Sequence, residues 1–297
     1  MLKAATVKMS KDLILPFIRR LTKNLSLVYS SYEAALEHAD GFDDLLLTKV
    51  IVTKGKKFAE NLKTDKTIDL MMLRTAIGIT SVLKSNSLRV LDFGGAAGAH
   101  YFITRSLLDD DIKIDWRIVE TTAMVNEAAQ QGLQNDELAF YDSIDAATQG
   151  DDFDLVFASS SVHYTPRPYD VLQTLLSVKF TKFMLTRTAI ANDEKVLLQK
   201  STLSGNGIGP IPEELGIKNR AISYPVTILC KRKVEQIIES YGEIQLQIKE
   251  EKKVLYTATE SFDYYGYIVT KHPRIATEGQ LVTAKEVSGI NFISNVS

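Results

Sequence analysis

Cysteine is almost missing from this chain. Cys230 is its one thiol, so there is neither an internal disulfide nor a cysteine-rich zinc site, and a reducing, cytoplasmic setting is expected. Histidine is scarce too. His38, His100, His163 and His272 stand far apart, with no HExxH or similar ligand pair, so no metal site is expected. No apolar run approaches the roughly 18 residues of a membrane span. Neither charge dominates: the formal net charge is -2, which gives no electrostatic case for nucleic acid as a partner. Internal repeats and low-complexity tracts are also lacking. What remains is an ordinary globular composition, 297 residues with 45% hydrophobic and 24% charged, enough for one large α/β domain with an appendage.

The first 24 residues are basic, with Lys3, Lys8, Lys11, Arg19, Arg20 and Lys23 against Asp12. Leu13, Ile14, Leu15, Phe17, Ile18 and Leu21 are interleaved with them. The apolar stretch is short, is broken by Pro16 and precedes no small-residue cleavage site, so a signal peptide fits poorly. A basic amphipathic helix fits better. It either packs on the domain or makes a peripheral contact with an anionic membrane surface or a partner protein. Up to residue 85 the pattern is helical, over Tyr32–His38 and Thr67–Leu83, the latter capped by Asp65 or Asp69. Leu45–Thr53 is an apolar run that periodicity does not assign.

From Ser87 onward, β-like runs alternate with helical stretches. Strands are expected at Leu88–Phe93, Ile112–Val119, Leu138–Tyr141, Phe153–Ser159 and Phe180–Arg187. Helices are expected at Ala97–Leu108, Ala123–Gln131 and Tyr169–Val178. Such alternation argues for a parallel sheet covered on both faces. Ser201–Pro225 then reads as an irregular, glycine- and proline-rich stretch, long enough for a functional loop or lid. A helix over Arg232–Tyr241 and an antiparallel pair, Gln245–Lys249 with Tyr264–Thr270, follow. The expected organisation is an N-terminal helical region over residues 1–85, capping the site, and an α/β domain over 86–297 with a lid-like insertion near 195–222.

The strongest local signal is Leu-Arg-Val-Leu-Asp-Phe-Gly-Gly-Ala-Ala-Gly-Ala-His-Tyr, residues 88–101. A buried strand runs into a glycine-rich turn and then a helix. Glycine lets the backbone approach a ligand closely, and the carboxyl end of a central parallel strand is where α/β proteins bind nucleotides. The dinucleotide fingerprint GxGxxG fits in no register, which argues against a nicotinamide oxidoreductase. The pattern that fits is acidic-x-Gly-x-small-x-Gly, with Asp92, Gly94, Ala96 and Gly98.

Other candidates follow the strand ends. Glu120 closes the second strand, where a carboxylate can accept two ribose hydroxyls. Asp142, in Phe140-Tyr141-Asp142-Ser143 after the third strand, either caps the next helix or, as the resemblance given below implies, approaches an adenine amino group. After the fourth strand, His163 in Ser159–Tyr164 either takes a proton from an acceptor hydroxyl near neutral pH or is an ordinary loop histidine. Arg187, at the end of the fifth, either grips a phosphate or carboxylate or makes a structural ion pair. Tyr224 and His100 are left equally open.

Asp92, Gly94, Ala96 and Gly98 resemble motif I of the class I S-adenosylmethionine-dependent methyltransferases, with Ala96 where a glycine is usual. That resemblance implies a Rossmann-like fold, a mostly parallel seven-stranded sheet with helices on both faces, here with an N-terminal helical extension. It implies S-adenosylmethionine as cofactor, held by Asp92, Gly94, Gly95, Gly98, Tyr101, Glu120, Thr121, Asp142, Ser143, Ser159 and Ser160. Catalytic roles fall to His163 as base, with Arg187 and Tyr224 orienting the acceptor. A narrower resemblance rests on Ser31-Tyr32-Glu33-Ala35, Asp92–Tyr101, Ser159–Tyr164 with Pro168-Tyr169, Thr186-Arg187-Thr188 and Ser223-Tyr224-Pro225. It points to a subgroup of bacterial methyltransferases found among genes for surface polysaccharide biosynthesis. The activity it implies is O-methylation of a small acceptor such as a sugar or sugar-nucleotide. The competing reading is a non-catalytic subunit or scaffold that keeps the fold.

Overall fold

The structure is a computed structural model that describes residues 28–42, 44–65, 67, 72–249, 254–255 and 261–272. The basic segment 1–24 and Asp69 lie outside the described residues.

The described chain begins with a short strand, β1 (Val28–Tyr29), and three helices, α1 (Tyr32–Leu36), α2 (Leu45–Asn61) and α3 (Leu73–Val82). The run left unassigned above, Leu45–Thr53, is thus the first half of a helix. Asp44 caps it by accepting from Leu47 N at 2.7 Å, and its apolar positions Leu47, Val50, Ile51 and Val52 are buried. Then come β2 (Ser87–Phe93), α4 (Ala99–Leu107), β3 (Lys113–Val119), α5 (Thr122–Gln130), β4 (Leu138–Tyr141), α6 (Ile144–Thr148), β5 (Asp152–Ser159), α7 (Pro168–Ser177) and β6 (Lys179–Ala191). The chain continues through β7 (Lys195–Thr202), β8 (Ala221–Cys230), α8 (Lys231–Tyr241), β9 (Gly242–Lys249), β10 (Val254–Leu255) and β11 (Ser261–Lys271).

Strands β4, β3, β2, β5 and β6 lie side by side and parallel. Next to β6 runs β11, antiparallel to it, with β9 antiparallel to β11 on the far side. The last described strand is therefore slotted between two earlier ones. This order, 3-2-1-4-5-7-6 with the seventh reversed, is the Rossmann-like methyltransferase fold. Strand side chains alternate faces. Val90, Trp116, Ile118, Leu155 and Phe157 join one core with α2, α3, α4 and α5. Leu91, Phe93, Val156, Ala158 and Leu185 join the other with α6, α7 and α8. Each Val, Leu, Ile or Phe among them, fully buried, stabilises the fold by about 1.5–3 kcal/mol.

The stretch expected to be irregular, Ser201–Pro225, is irregular over 203–220, and its two ends belong to the strands of a hairpin arm. β7 and β8 pair antiparallel from Lys195↔Ile228 to Thr202↔Ala221, leaving 203–220 as the connecting loop. Ile222, Tyr224, Val226 and Ile228 alternate and are buried, which provides the driving force that the proline and glycines around them disguise. β8 meets β6 at Ile190↔Leu229 and Ala191↔Cys230, beyond the point where β5 has ended at Ser159. The arm thus stands over the carboxyl ends of the parallel strands. The N-terminal segment ties it there: Ser223 donates to Asp40 through its N at 2.7 Å and its Oγ at 2.9 Å, and Arg220 pairs with Asp44 at 2.5 Å. None of the described helices is long and apolar enough to cross a membrane.

Candidate functional site

The parallel register lines up the strand ends Phe93, Val119, Ala158 and Leu185. The turns that follow them open into one cavity of about 560 Å³, roofed by the arm and by α1 and α2. Ligand sites commonly occupy roughly 300–1,000 Å³.

The glycine-rich turn forms one wall. Gly94 donates to Val119 O at 2.8 Å and has φ +70°. A β-carbon there would fall 2.2 Å from Ser161 Cβ, so the turn and the loop after β5 are in contact. Gly98 begins α4 at φ +80° but packs on Leu138 and Ile118 and supports the turn from behind. Ala96 holds φ +49°, a left-handed conformation that a β-carbon disfavours. Its N–H donates to Glu120 Oε1 at 2.9 Å, while Thr121 N donates to Glu120 Oε2 at 3.0 Å. Each carboxylate oxygen keeps further acceptor capacity, and Glu120 and Thr121 both line the cavity.

Asp92 does not line the cavity. It lies fully buried beneath the turn, where a β-carbon on Gly95 would sit 2.5 Å from its Oδ2. Trp116 Nε1 donates to that oxygen at 3.2 Å, and Oδ1 has no partner. Burial raises Asp92 to about 7, against the Trp116 hydrogen bond and with a smaller push from Glu120.

Several expected cofactor contacts lie elsewhere. Tyr101 points into the core, donating to Glu137 Oε2 at 2.9 Å and packing near Trp116. Its helical register carries it away from the turn. Asp142 is exposed and Ser143 caps α6 by accepting from Ala146 N; neither is on the cavity wall. Ser159 and Ser160 are on it, Ser159 accepting from Thr186 Oγ1 at 3.0 Å.

The catalytic candidates separate. Arg187 and Tyr224 line the cavity. Tyr224 stacks on Phe42 at 4.3 Å between ring centroids and donates to Asn206 Oδ1 at 3.3 Å. His163 does not reach the cavity wall. Its ring is wholly buried against Tyr164, centroids 4.1 Å apart, and both nitrogens are without partners. Burial, then the positive field of Arg187, pulls it down to about 3, so its proton chemistry is sealed away. The histidine that does line the cavity is His100. Its Nδ1 lies 2.6 Å from Thr75 Oγ1. Burial, then Arg187 and Arg74, holds it near 4 and therefore neutral at pH 7.

The sequence reading also passed over Lys54, which is buried. Its ammonium donates to the carbonyls of Ser204 (3.0 Å), Asn206 and Gly207, fastening the arm's loop to α2. Burial lowers it to about 8. The available signal was a lysine directly following the apolar run Leu45–Thr53. Among the described residues no group of three or more His, Cys, Asp or Glu could hold a metal ion.

No family model matches the sequence, and no curated protein matches it. Solved structures do resemble it. The N-terminal domain of EvdMO1 with S-adenosylhomocysteine bound is 17% identical, with TM-score 0.44, over 68% of this chain and 81% of that one. A S-adenosylmethionine-dependent methyltransferase from Clostridium acetobutylicum ATCC 824 is 13% identical, with TM-score 0.44, over 73% of this chain and 99% of that one. The [4+2]-cyclase SpnF is 12% identical, with TM-score 0.46, over 84% and 98% respectively. Likeness at this level leaves the fold resting on the strand order itself.

Proposed function

We propose that this chain is a S-adenosylmethionine-dependent methyltransferase that methylates a small molecule, with a hydroxyl of a sugar or sugar-nucleotide as the acceptor and the cytoplasm as its setting. The observation that carries the reading is the juxtaposition of a strand-to-helix glycine turn with Glu120 across one ligand-sized cavity. The residues present fit the cofactor. The turn presents Gly94, Gly95 and Ala96, Glu120 offers acceptor oxygens at the end of β3 for ribose hydroxyls, and Met124 and Ile51 supply apolar wall.

Bound S-adenosylmethionine supplies a methyl group already activated on a sulfonium. The protein's task is to hold an acceptor oxygen in line, and such positioning contributes several kcal/mol of the barrier reduction (about 7–11 at the upper end). Ser159, Ser160, Tyr224 and Arg187 stand on the acceptor side of the cavity. His100, neutral at pH 7, is the imidazole there able to take the acceptor's proton. The arm, fastened to α2 by Lys54, roofs the chamber.

The deciding experiment is calorimetric titration with S-adenosylmethionine and S-adenosylhomocysteine, with Glu120→Ala beside the wild type. Micromolar binding weakened at least tenfold by the substitution is expected. Failure of the folded wild type to bind either compound would sink the reading in favour of a non-catalytic scaffold. The strained Ala96, which narrows the turn, is the feature that favours this alternative.

A further inference from the structure

Among the described residues, Arg187 is a cation without a counter-charge. Arg89, Arg105, Arg117, Arg167 and Arg220 each pair with a carboxylate. Arg187 is half-buried on the cavity wall, and among the described residues its guanidinium makes no hydrogen bond or ion pair. The carboxylate on that wall, Glu120, is already engaged by two backbone N–H groups. Keeping a guanidinium half-desolvated and unpaired is costly, and the arrangement makes sense when a ligand supplies the anion.

The backbone is also bent to deliver this side chain. β6 and β11 pair at Tyr265↔Thr188 and again at Tyr267↔Leu185. Thr186 and Arg187 therefore oppose Gly266 alone, a β-bulge that re-aims a side chain. Arg187 takes φ +53° at that point, a conformation that bulky residues avoid and that clusters at ligand sites. Gly266 is required opposite, because a β-carbon there would lie 2.8 Å from Leu185 O.

Position separates this cation from the cofactor residues. Successive strands lie about 4.8 Å apart. β6 is two strands from the glycine turn of β2 and three from Glu120 on β3, roughly 10 and 14 Å away. The arm closes over the β6 side, where Gln199, Ser201 and Tyr224 line the cavity. We propose that the methyl acceptor carries an anionic group, a phosphate or a carboxylate, seated on Arg187. This inference rests on the methyl-transfer reading above. An anion there would also cancel part of the field that, after burial, suppresses His100, so acceptor binding and proton abstraction would be linked.

The test is calorimetry on the full chain with inorganic phosphate and, separately, acetate, with and without saturating S-adenosylhomocysteine. Wild type, Arg187→Met and Arg187→Lys are compared, and circular-dichroism melts confirm folding. One anion is expected to bind wild type, at least tenfold more weakly to Arg187→Met and to an intermediate degree to Arg187→Lys. S-adenosylhomocysteine affinity should stay within threefold throughout. Preference for phosphate marks a phosphorylated acceptor, and preference for acetate a carboxylated one. If Arg187→Met does not fold, the lysine variant carries the comparison. The proposal is overturned if neither anion binds, if binding ignores Arg187, or if the substitutions weaken S-adenosylhomocysteine tenfold, which would give Arg187 to the cofactor's own carboxylate. Anion binding without any S-adenosylhomocysteine binding overturns the methyl-transfer reading and with it the acceptor, but keeps the anion site.

Discussion

Ala96 sets a β-carbon in a left-handed turn at φ +49°, a conformation that costs about 1–2 kcal/mol. Ala96→Gly removes that cost while giving the unfolded chain more freedom, worth about 0.4–1 kcal/mol. A net gain of about 0.5–1 kcal/mol is expected in urea unfolding, and an unchanged or lower midpoint would refute the strain. Asp92, beneath the same turn, makes stability depend on pH. Its folded value of about 7 lies above the unfolded value, so the folded state binds the extra proton. Its contribution is complete below about pH 4 and is lost as pH rises through 7, with a slope of at most about 1.4 kcal/mol per unit. Asn cannot ionise, so Asp92→Asn should gain on wild type steadily from pH 4 to 7 in paired thermal melts. A pH-independent difference would show that Asp92 does not titrate there. Glu120, Gly94 and Gly95 stand on the cavity wall where the sequence put them, because chemistry and position along the strand coincide in them. Tyr101 and His163 are buried away from the cavity wall because a motif specifies an order along the chain, whereas depth and facing depend on how the turn is packed.

α2 joins the two halves of the site. Gly55 lets its backbone rest on the turn: a β-carbon there would meet Ala97 Cβ at 2.3 Å and Ala97 O at 3.0 Å. The neighbouring Lys54 reaches the arm's carbonyls. On a free helix face Gly55→Ala would stabilise by about 1 kcal/mol. Here the clash should reverse the sign and destabilise by about 1–3 kcal/mol, read by urea unfolding; stabilisation would mean that α2 does not bear on the turn. Neither α2 nor the arm was legible beforehand, for opposite reasons. Leu45–Thr53 is too uniformly apolar and β-branched to show a period, and the alternation in β8 is interrupted by Pro225 and preceded by a run of glycines.

At the scale of the molecule, β2 to β5 could be drawn from sequence to within a residue or so. A parallel strand covered on both faces is a short, mostly apolar run, and in β2 to β5 turn residues bound each run closely. β6 runs on past Arg187 to Ala191, since the bulge that bends it is invisible without its partner strand. The position of β11 between β6 and β9 has a consequence for synthesis. The parallel strands leave the ribosome first and can associate as they appear, but the open side of β6 stays bare until Lys271 has emerged. In that interval the nascent protein presents an unpaired strand edge, a template for mispairing that chaperones commonly shield. The bend at Arg187 has nothing to close against until Gly266 arrives, so this side chain takes its place on the cavity wall only after β11 has been made.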